Sequence, residues 1–209
     1  MLKTITFLVA LVCALTSVAQ NFEGKITFTN TYESKIPGVS DELLTKMMGS
    51  TQLYFIKDKE YKSETNGSLL MWQLYVGADN KLYNKLSNSD TLMYYDGASN
   101  SDEIIKAELK KNAAEILGYM CDELVLTCKS GTQIYYFNSN ISIDPTLYEN
   151  HKFGNWYDII SRTKALPLKA ILVNPQFTFT STAISIQPIQ LAKEFFTLPT
   201  GAITKKSVQ

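Results

Sequence analysis

Two of the three cysteines sit seven residues apart in ILGYMCDELVLTC, residues 116–128, and thiols at such spacing invite a disulfide, a metal site or a nucleophile. The residues between them are mostly apolar, which favours one continuous strand. A strand of that length separates Cys121 from Cys128 by about 23 Å, whereas a disulfide needs alpha carbons within about 7 Å. The odd separation also sends the two side chains to opposite faces, and Cys128 shares its face with Leu124 and Leu126. Both therefore read as buried thiols acting as small hydrophobes. A disulfide across a turn inside the segment, which an oxidising compartment would favour, and metal or redox work are the alternatives; no C-x-x-C is present.

The single histidine, His151, stands beside Lys152 in a polar stretch and is expected at the surface of a helix or loop. One histidine excludes H-E-x-x-H, and any Ser-His-Asp triad would have to use it, yet no G-x-S-x-G offers the nucleophile. No glycine-rich phosphate loop occurs. Asp102-Glu103 and Asp122-Glu123 read as solvated or helix-capping charge. A glycosidase would need two carboxylates about 5 to 9.5 Å apart across a cleft, a separation that sequence does not fix. The expectation is a protein that is not an enzyme and carries no cofactor or metal.

Charge narrows the partners. Lys+Arg and Asp+Glu are both 20, and Arg162 is the only arginine. A near-neutral chain argues against nucleic acid, and one arginine leaves almost no bidentate clamp for phosphate or carboxylate. Asn-x-Ser sequons at Asn66 and Asn140 matter only in a cell that glycosylates secreted proteins.

The opening MLKTITFLVALVCALTSVAQ has a basic residue, an apolar run from Ile5 to Leu15, and small residues at Ser17 and Ala19. This is the pattern of a cleavable secretory signal, assigned to 1–19, and the run is too short to span a bilayer comfortably. An uncleaved anchor lacks its basic stop-transfer cluster. A lipoprotein signal at Cys13 lacks small residues before the cysteine, which follows Ala10, Leu11 and Val12. Residues 20–209 read as a single domain with no further membrane span.

The elements that must position these residues are mainly strands. FEGKITFTNTYE, residues 22–33, alternates with Phe22, Gly24, Ile26, Phe28 and Tyr32 on one face: a half-buried antiparallel strand. SDELLTKMMG predicts a short amphipathic helix capped by Ser40 and stopped at Gly49. TQLYFI, EYKSET, SLLMWQLYV, KLYNKL and TLMYY follow as a meander between short polar turns. SLLMWQLYV is apolar on both faces and is expected in mid-sheet with cover on each side. In SDEIIKAELKKNAAEI the spacing of Ile105, Leu109, Ala113 and Ile116 predicts a helix from Ser101. CDELVLTC and TQIYYFN predict a hairpin around KSG. Asp144 before Pro145 and Asn155 before WYDIISRT predict two short helices. In QFTFTSTAISI the apolar phase moves from Phe177 and Phe179 to Ile184 and Ile186, predicting a bulge near 180–182.

FEGKI (22–26), LYFIKDKEYKSE (53–64), ILGYMC (116–121), ALPLKAIL (165–172) and AISIQPIQLAKEFFTLPTG (183–201) occur in an order that resembles secreted proteins of Gram-negative envelopes grouped with the LolA-like lipoprotein-carrier superfamily. The resemblance covers most of the mature chain. It implies a mainly β fold with a few short helices: a curved antiparallel sheet, an unclosed half-barrel, with helices on its concave face. It also implies that 102–115 is a strand, that Gly118 permits a bend, that Pro167 starts a strand, and that Pro199 and Gly201 end the last ordered segment. Carriers of that superfamily shield acyl chains crossing the periplasm and use an arginine inside the half-barrel; Arg162 is read in a helix among charged neighbours.

The functional expectation is a periplasmic, non-enzymatic protein that binds an acyl chain, a lipid or a lipidated protein in the hollow of its sheet. The residues expected to line it are Trp72, Leu74 and Tyr75 on the doubly apolar strand, covered by Leu43, Leu44 and Met47 of the first helix. The alternative is an envelope structural or protein-interaction protein whose core is filled.

Overall fold

The alternation of the first strand becomes β1 (Gly24–Ser34), with Ile26, Phe28 and Asn30 buried and the residues between them more exposed. In the computed structural model, which describes residues 21–207, α1 (Asp41–Met48) follows, then β2 (Thr51–Lys57), β3 (Glu60–Thr65), β4 (Leu70–Val76), β5 (Lys81–Leu86) and β6 (Leu92–Asp96). Next come β7 (Ile104–Ile116), β8 (Tyr119–Cys128), β9 (Gly131–Ser142), α2 (Trp156–Thr163), β10 (Ala165–Val173), β11 (Phe177–Pro188) and β12 (Thr204–Lys206). The expected secretory signal and Cys13 lie outside the described residues.

All twelve strands form one curved, unclosed sheet in the order β12-β6-β5-β4-β3-β2-β1-β11-β10-β9-β8-β7. Every pairing is antiparallel except that of β12 with β6. The meander thus runs outward from β1 on one side; the chain then passes to the far edge at β7 and builds the other arm inward, strand by strand, until β11 pairs with β1. The bulge in β11 falls at Ile184, which is skipped between the partners of Thr27 and Phe28, two residues beyond the expected position. β12 adds a strand beyond Gly201, where the last ordered segment was expected to end.

The helix that the local spacing predicts from Ser101 is overturned, and the strand that the resemblance implies over 102–115 is what forms: β7, the outermost strand of its arm, paired with β8. Its four-residue apolar spacing does not serve a core, since Ile105 and Leu109 are 66% and 58% exposed. Pairing with β8 overrides the local periodicity. The turn between the two strands is Leu117-Gly118, both at positive φ, as a two-residue hairpin of this type requires.

The connection from β9 to β10 decides the shape of the interior. These strands are direct neighbours, yet residues 143–164 separate them and cross one face of the sheet, here called the inner face. The strap begins with a 3-10 turn, Pro145–Tyr148, whose N-cap Asp144 accepts from Thr146 N. At its far end it is fastened to the other arm. Lys152 and Phe153 N donate to Gly97 O, Asn80 Nδ2 donates to Asn150 O, and Tyr148 Oη donates to Asp58 O. Gly97 is required there, because a Cβ would collide with Asn80. α2 then turns Ile159, Ile160 and Thr163 inward. Asn155 holds its N-cap position with left-handed backbone, but its amide accepts from Asn100 Nδ2 and donates to Cys128 Sγ instead of capping.

The opposite face of β2–β4 is covered as well. Residues 193–196 form a 3-10 turn whose Phe195 packs on Phe55 at 4.8 Å, and Lys62 Nζ lies between the Phe195 and Trp72 rings. β4, apolar on both faces, is therefore a mid-sheet strand with cover on each side.

Candidate functional site

Strand alternation sets the inner face of the first arm row by row. Ile56, Tyr61 and Tyr75 align across β2–β4, with Tyr54 one step along β2. Tyr54 stacks on Tyr61 at 5.4 Å and Tyr61 on Tyr75 at 5.2 Å, so three strands present a ladder of rings. His151, delivered by the strap, lies parallel to Tyr75 at 3.9 Å, and its Nε2 is 2.8 Å from Tyr61 Oη. Trp156 closes the group against Tyr61 and Tyr148.

This placement overturns the expected surface position of His151, which is 1% exposed. The polar flanks of ENHKF belong to the strap's outer side, while the imidazole is carried under it. Burial pushes its pKa down to about 3, with the Gly97 carbonyl offsetting only part of that effect. The ring is neutral at physiological pH, as is Tyr61, whose burial drives its pKa far up. Among the described residues no acid or thiol stands as a hydrogen-bonded partner to the imidazole. Among the described residues, three polar atoms of this group have no hydrogen-bond partner: Tyr54 Oη, Trp156 Nε1 and His151 Nδ1. Each such buried atom costs about 1–3 kcal/mol, and a cluster of them marks a place where packing is not the only requirement.

Beside the ring cluster the inner face opens into two hollows. The first, about 170 Å³, lies where Ile26 and Phe28 of β1 face Trp156 of α2, with Leu166, Ala170 and Phe179 along the second arm. The second, about 250 Å³, continues toward α1 and shares Gln52 and Phe179 with the first. Its apolar walls are Met48, Leu70, Leu172 and Phe177; its polar lining is Asn30, Gln52, Ser63, Thr65 and Gln73, with Tyr32 beside them. No charged side chain lines either hollow. A wider, open furrow of about 760 Å³ runs between α1 and β1; it shares Asn30 and Tyr32 with the second hollow, and its other walls include solvated side chains such as Thr29, Glu42 and Lys46.

The six residues expected to bind ligand are not brought together. Tyr75 lies on the inner face against His151. Trp72 and Leu74, of opposite parity, lie on the outer face, with Lys62 beside Trp72 and paired across the strand with Leu74. The correction follows from the period of a strand: cover on both faces made β4 look like a cavity floor, but only one of its faces looks into the trough. α1 sits at the end of the trough, tied to the next turn by Leu69 N donating to Met47 O. Leu43 is exposed there, Leu44 and Met47 are half-buried, and the helix residue that reaches the hollow is the neighbouring Met48. Arg162 is exposed and sits 3.8 Å from Asp158 on its own helix, not inside the trough.

Sequence reasoning also missed Asn30, Gln52, Ser63 and Gln73. A signal for them existed: in each strand they occupy the parity of the buried tyrosines and isoleucines, so each interrupts an apolar row with an uncharged polar group.

Cys121 and Cys128 are both free and buried, as expected for a single strand, and they belong to different core clusters. Among the described residues no group of three or more His, Cys, Asp or Glu could hold a metal ion, and no helix is long and apolar enough to cross a membrane.

No family model matches the chain, and no curated protein matches it. Among solved structures it is similar to PNGF-II, with a TM-score of 0.50 and 14% identity over 89% of this chain and 32% of that one. It is also similar to an uncharacterized conserved protein from Thermus thermophilus, with a TM-score of 0.45 and 9% identity over 88% and 91% of the two chains. The chain spans about a third of the length of PNGF-II, and that likeness is one of fold alone.

Proposed function

We propose that this protein is a non-enzymatic binder of a hydrophobic ligand, an acyl chain, a lipid or a lipidated partner, held in the trough between the inner sheet face and the strap, and that it works in the periplasm after secretion. The observation that carries this reading is the pair of neighbouring hollows, sharing Gln52 and Phe179, that are walled by Phe28, Trp156, Phe179 and Leu172 and have no charged side chain in their lining. Ligand pockets usually run from about 300 to 1,000 Å³, and the two hollows taken together fall at the low end. That size suits one chain or one small apolar molecule, not the several chains of a lipoprotein. The resemblance to the LolA-like carriers supports the same class of ligand, while the exposed Arg162 sets this chain apart from the arginine-dependent members.

The test is native mass spectrometry of the mature protein, gently purified from its own envelope, with lipid analysis of the extract. A stoichiometric lipid or acyl species is expected, and it should be lost in Ala170→Phe, which fills the first hollow, while the melting temperature is kept. A clean apo mass together with no uptake of added medium-chain lipids would overturn the reading. The second reading, an envelope interaction protein, is favoured by Ile105 and Leu109, exposed along β7. It would be supported by a partner whose capture is lost in Ile105→Lys while Ala170→Phe has no effect.

A further inference from the structure

The trough is not uniform along its length, and the difference specifies the ligand's head. The first hollow is walled mainly by apolar side chains and aromatic rings, with Ser181 and, at the junction, Gln52 among its lining, and with Tyr54 Oη and Trp156 Nε1 on rings that border it. The second presents a belt of amides and hydroxyls that crosses the inner face. Ser63 pairs with Gln73 and Gln73 with Asn84 across β3–β5, and Gln52 Nε2 donates to Ser63 Oγ at 2.7 Å. Gln73 Nε2 donates to Asn84 Oδ1 at 2.9 Å. On β1 the belt continues as Asn30, opposite Ser181 of β11. Asn30 is 4% exposed, lines the second hollow, and its Oδ1 is without a hydrogen-bond partner among the described residues. A buried amide oxygen left this way accepts from any donor that enters beside it.

Charge excludes the common lipid heads. Neither hollow has a cation to offset a carboxylate or phosphate, and burial leaves the nearby Tyr32 phenol protonated, with its pKa pushed up to about 12. An anion would have to shed its water against amides alone. An ammonium head would find no carboxylate in the lining.

We propose, resting on the binding reading above, that the ligand is an amphiphile with an uncharged head that donates hydrogen bonds, a polyol ester or a hydroxylated amide. Its head meets Asn30, Gln52 and Gln73 in the second hollow and its tail occupies the first. A cavity of about 150 Å³ takes one benzene, so the first hollow accommodates a tail segment of about six carbons.

Three probes of one tail length separate the contributions: 1-monohexanoylglycerol, methyl hexanoate and hexanoate, titrated calorimetrically at pH 7 against the mature protein. The glycerol ester should bind about tenfold more tightly than the methyl ester, the worth of one or two added hydrogen bonds. Hexanoate should bind only as its neutral acid, so its apparent affinity falls about tenfold per pH unit above its own pKa. Asn30→Leu should erase the advantage of the glycerol ester and leave the methyl ester unchanged. Gln73→Leu, in the same belt, serves if Asn30→Leu does not fold. Equal binding of all three probes at pH 7, or an equal loss for both esters in the variants, overturns the neutral-head proposal while leaving the trough a binding site. If the wild type takes up none of the three probes, the binding reading falls and the proposal with it.

Discussion

The two ends of the trough are built on the same strands and differ in what each strand places one step along. At the strap end, β2–β4 present Tyr54, Tyr61 and Tyr75, and the strap fills the space with His151, Tyr148 and Trp156 until ring lies on ring. At the α1 end, the same strands present Gln52, Ser63, Thr65 and Gln73; no strap residue lines the second hollow and, of the strap, Trp156 alone lines the first, so both hollows persist. An aromatic row closes on itself because large flat side chains stack at low entropic cost, each pair adding about 0.5–1.5 kcal/mol beyond its area. An amide row resists closure, since each polar atom covered without a partner is a loss. The packed end therefore holds the two arms together, and the open end is left for a ligand.

The largest effect that would break this comparison is a difference in truncation cost. Tyr75→Ala removes the ring under His151 and should cost about 3–5 kcal/mol. Phe179→Ala, at the junction of the hollows, removes a half-buried ring and should cost roughly half as much, while widening the trough. Chemical denaturation of both variants checks this. Equal losses would mean that the open end carries as much of the stability as the packed end.

Next in size is the dependence on pH. His151 has a folded pKa lowered to about 3 from an ordinary 6.5, so below pH 6.5 the unfolded chain binds a proton that the folded chain refuses. Stability is unaffected by this group above pH 6.5 and is lost as pH falls from there toward 3, by about 1.4 kcal/mol per unit. Glu60, on β3, works in the opposite sense: burial raises its carboxyl pKa, so the folded chain takes up that proton before the unfolded chain does and gains stability as pH falls. The slope should appear in melts between pH 6.5 and 5 and vanish in His151→Gln. Its persistence in that variant would place the titrating group elsewhere.

Much of the fold was legible because the strands of the first arm alternate cleanly and their turns are polar; β1–β6, the β8–β9 hairpin and the two short helical segments after Asp144 and Asn155 stand where their patterns put them, although of the two expected caps Asp144 caps and Asn155 does not. β7 was not legible locally, because an edge strand with one neighbour buries little and its exposed residues can take any spacing. His151 was misplaced for a related reason: a strap that crosses a sheet has one wet side, and the sequence neighbours of the histidine occupy it. The site itself was less legible. Of the six residues read as ligand-binding none lines either hollow: Tyr75 lies on the inner face in the ring cluster, and Trp72 and Leu74 were assigned to the same space although an adjacent residue must face the other way. The polar belt was visible only as single faults in apolar rows, and its meaning depends on the register that aligns those faults.

The two faces of β4 sharpen the comparison further. Trp72 lies on the outer face with the Lys62 ammonium 5.7 Å from its ring centroid, partly exposed, and contributes area and a weak cation–π contact. Trp72→Ala should cost about 1–2 kcal/mol and leave ligand uptake unchanged. Gln73→Leu, one residue on, loses its hydrogen bond to Asn84 and should cost about 1 kcal/mol or less while altering uptake. Reversal of that pattern in paired binding and denaturation measurements would place the functional face on the outside.

The smallest expected effect concerns the thiols, whose chemistry the sequence left open. Burial, the largest influence on each, raises both pKa values, that of Cys128 to about 11, with the Asp102 carboxylate adding to the shift there and Asp122 adding to it at Cys121. At pH 8 the thiolate fraction of Cys128 is on the order of one in a thousand, and the thiolate is the reactive form. The two sulfurs lie near opposite ends of β8, so no rotation of side chains brings them into bonding range. Alkylation at pH 8 should therefore modify neither cysteine in the folded protein and both after denaturation, with the same mass under reducing and non-reducing conditions. Rapid labelling of Cys128 in the folded state would show that α2 lifts from the β8 surface. In that case the strap end, and not the α1 end, would be the mobile part of the trough.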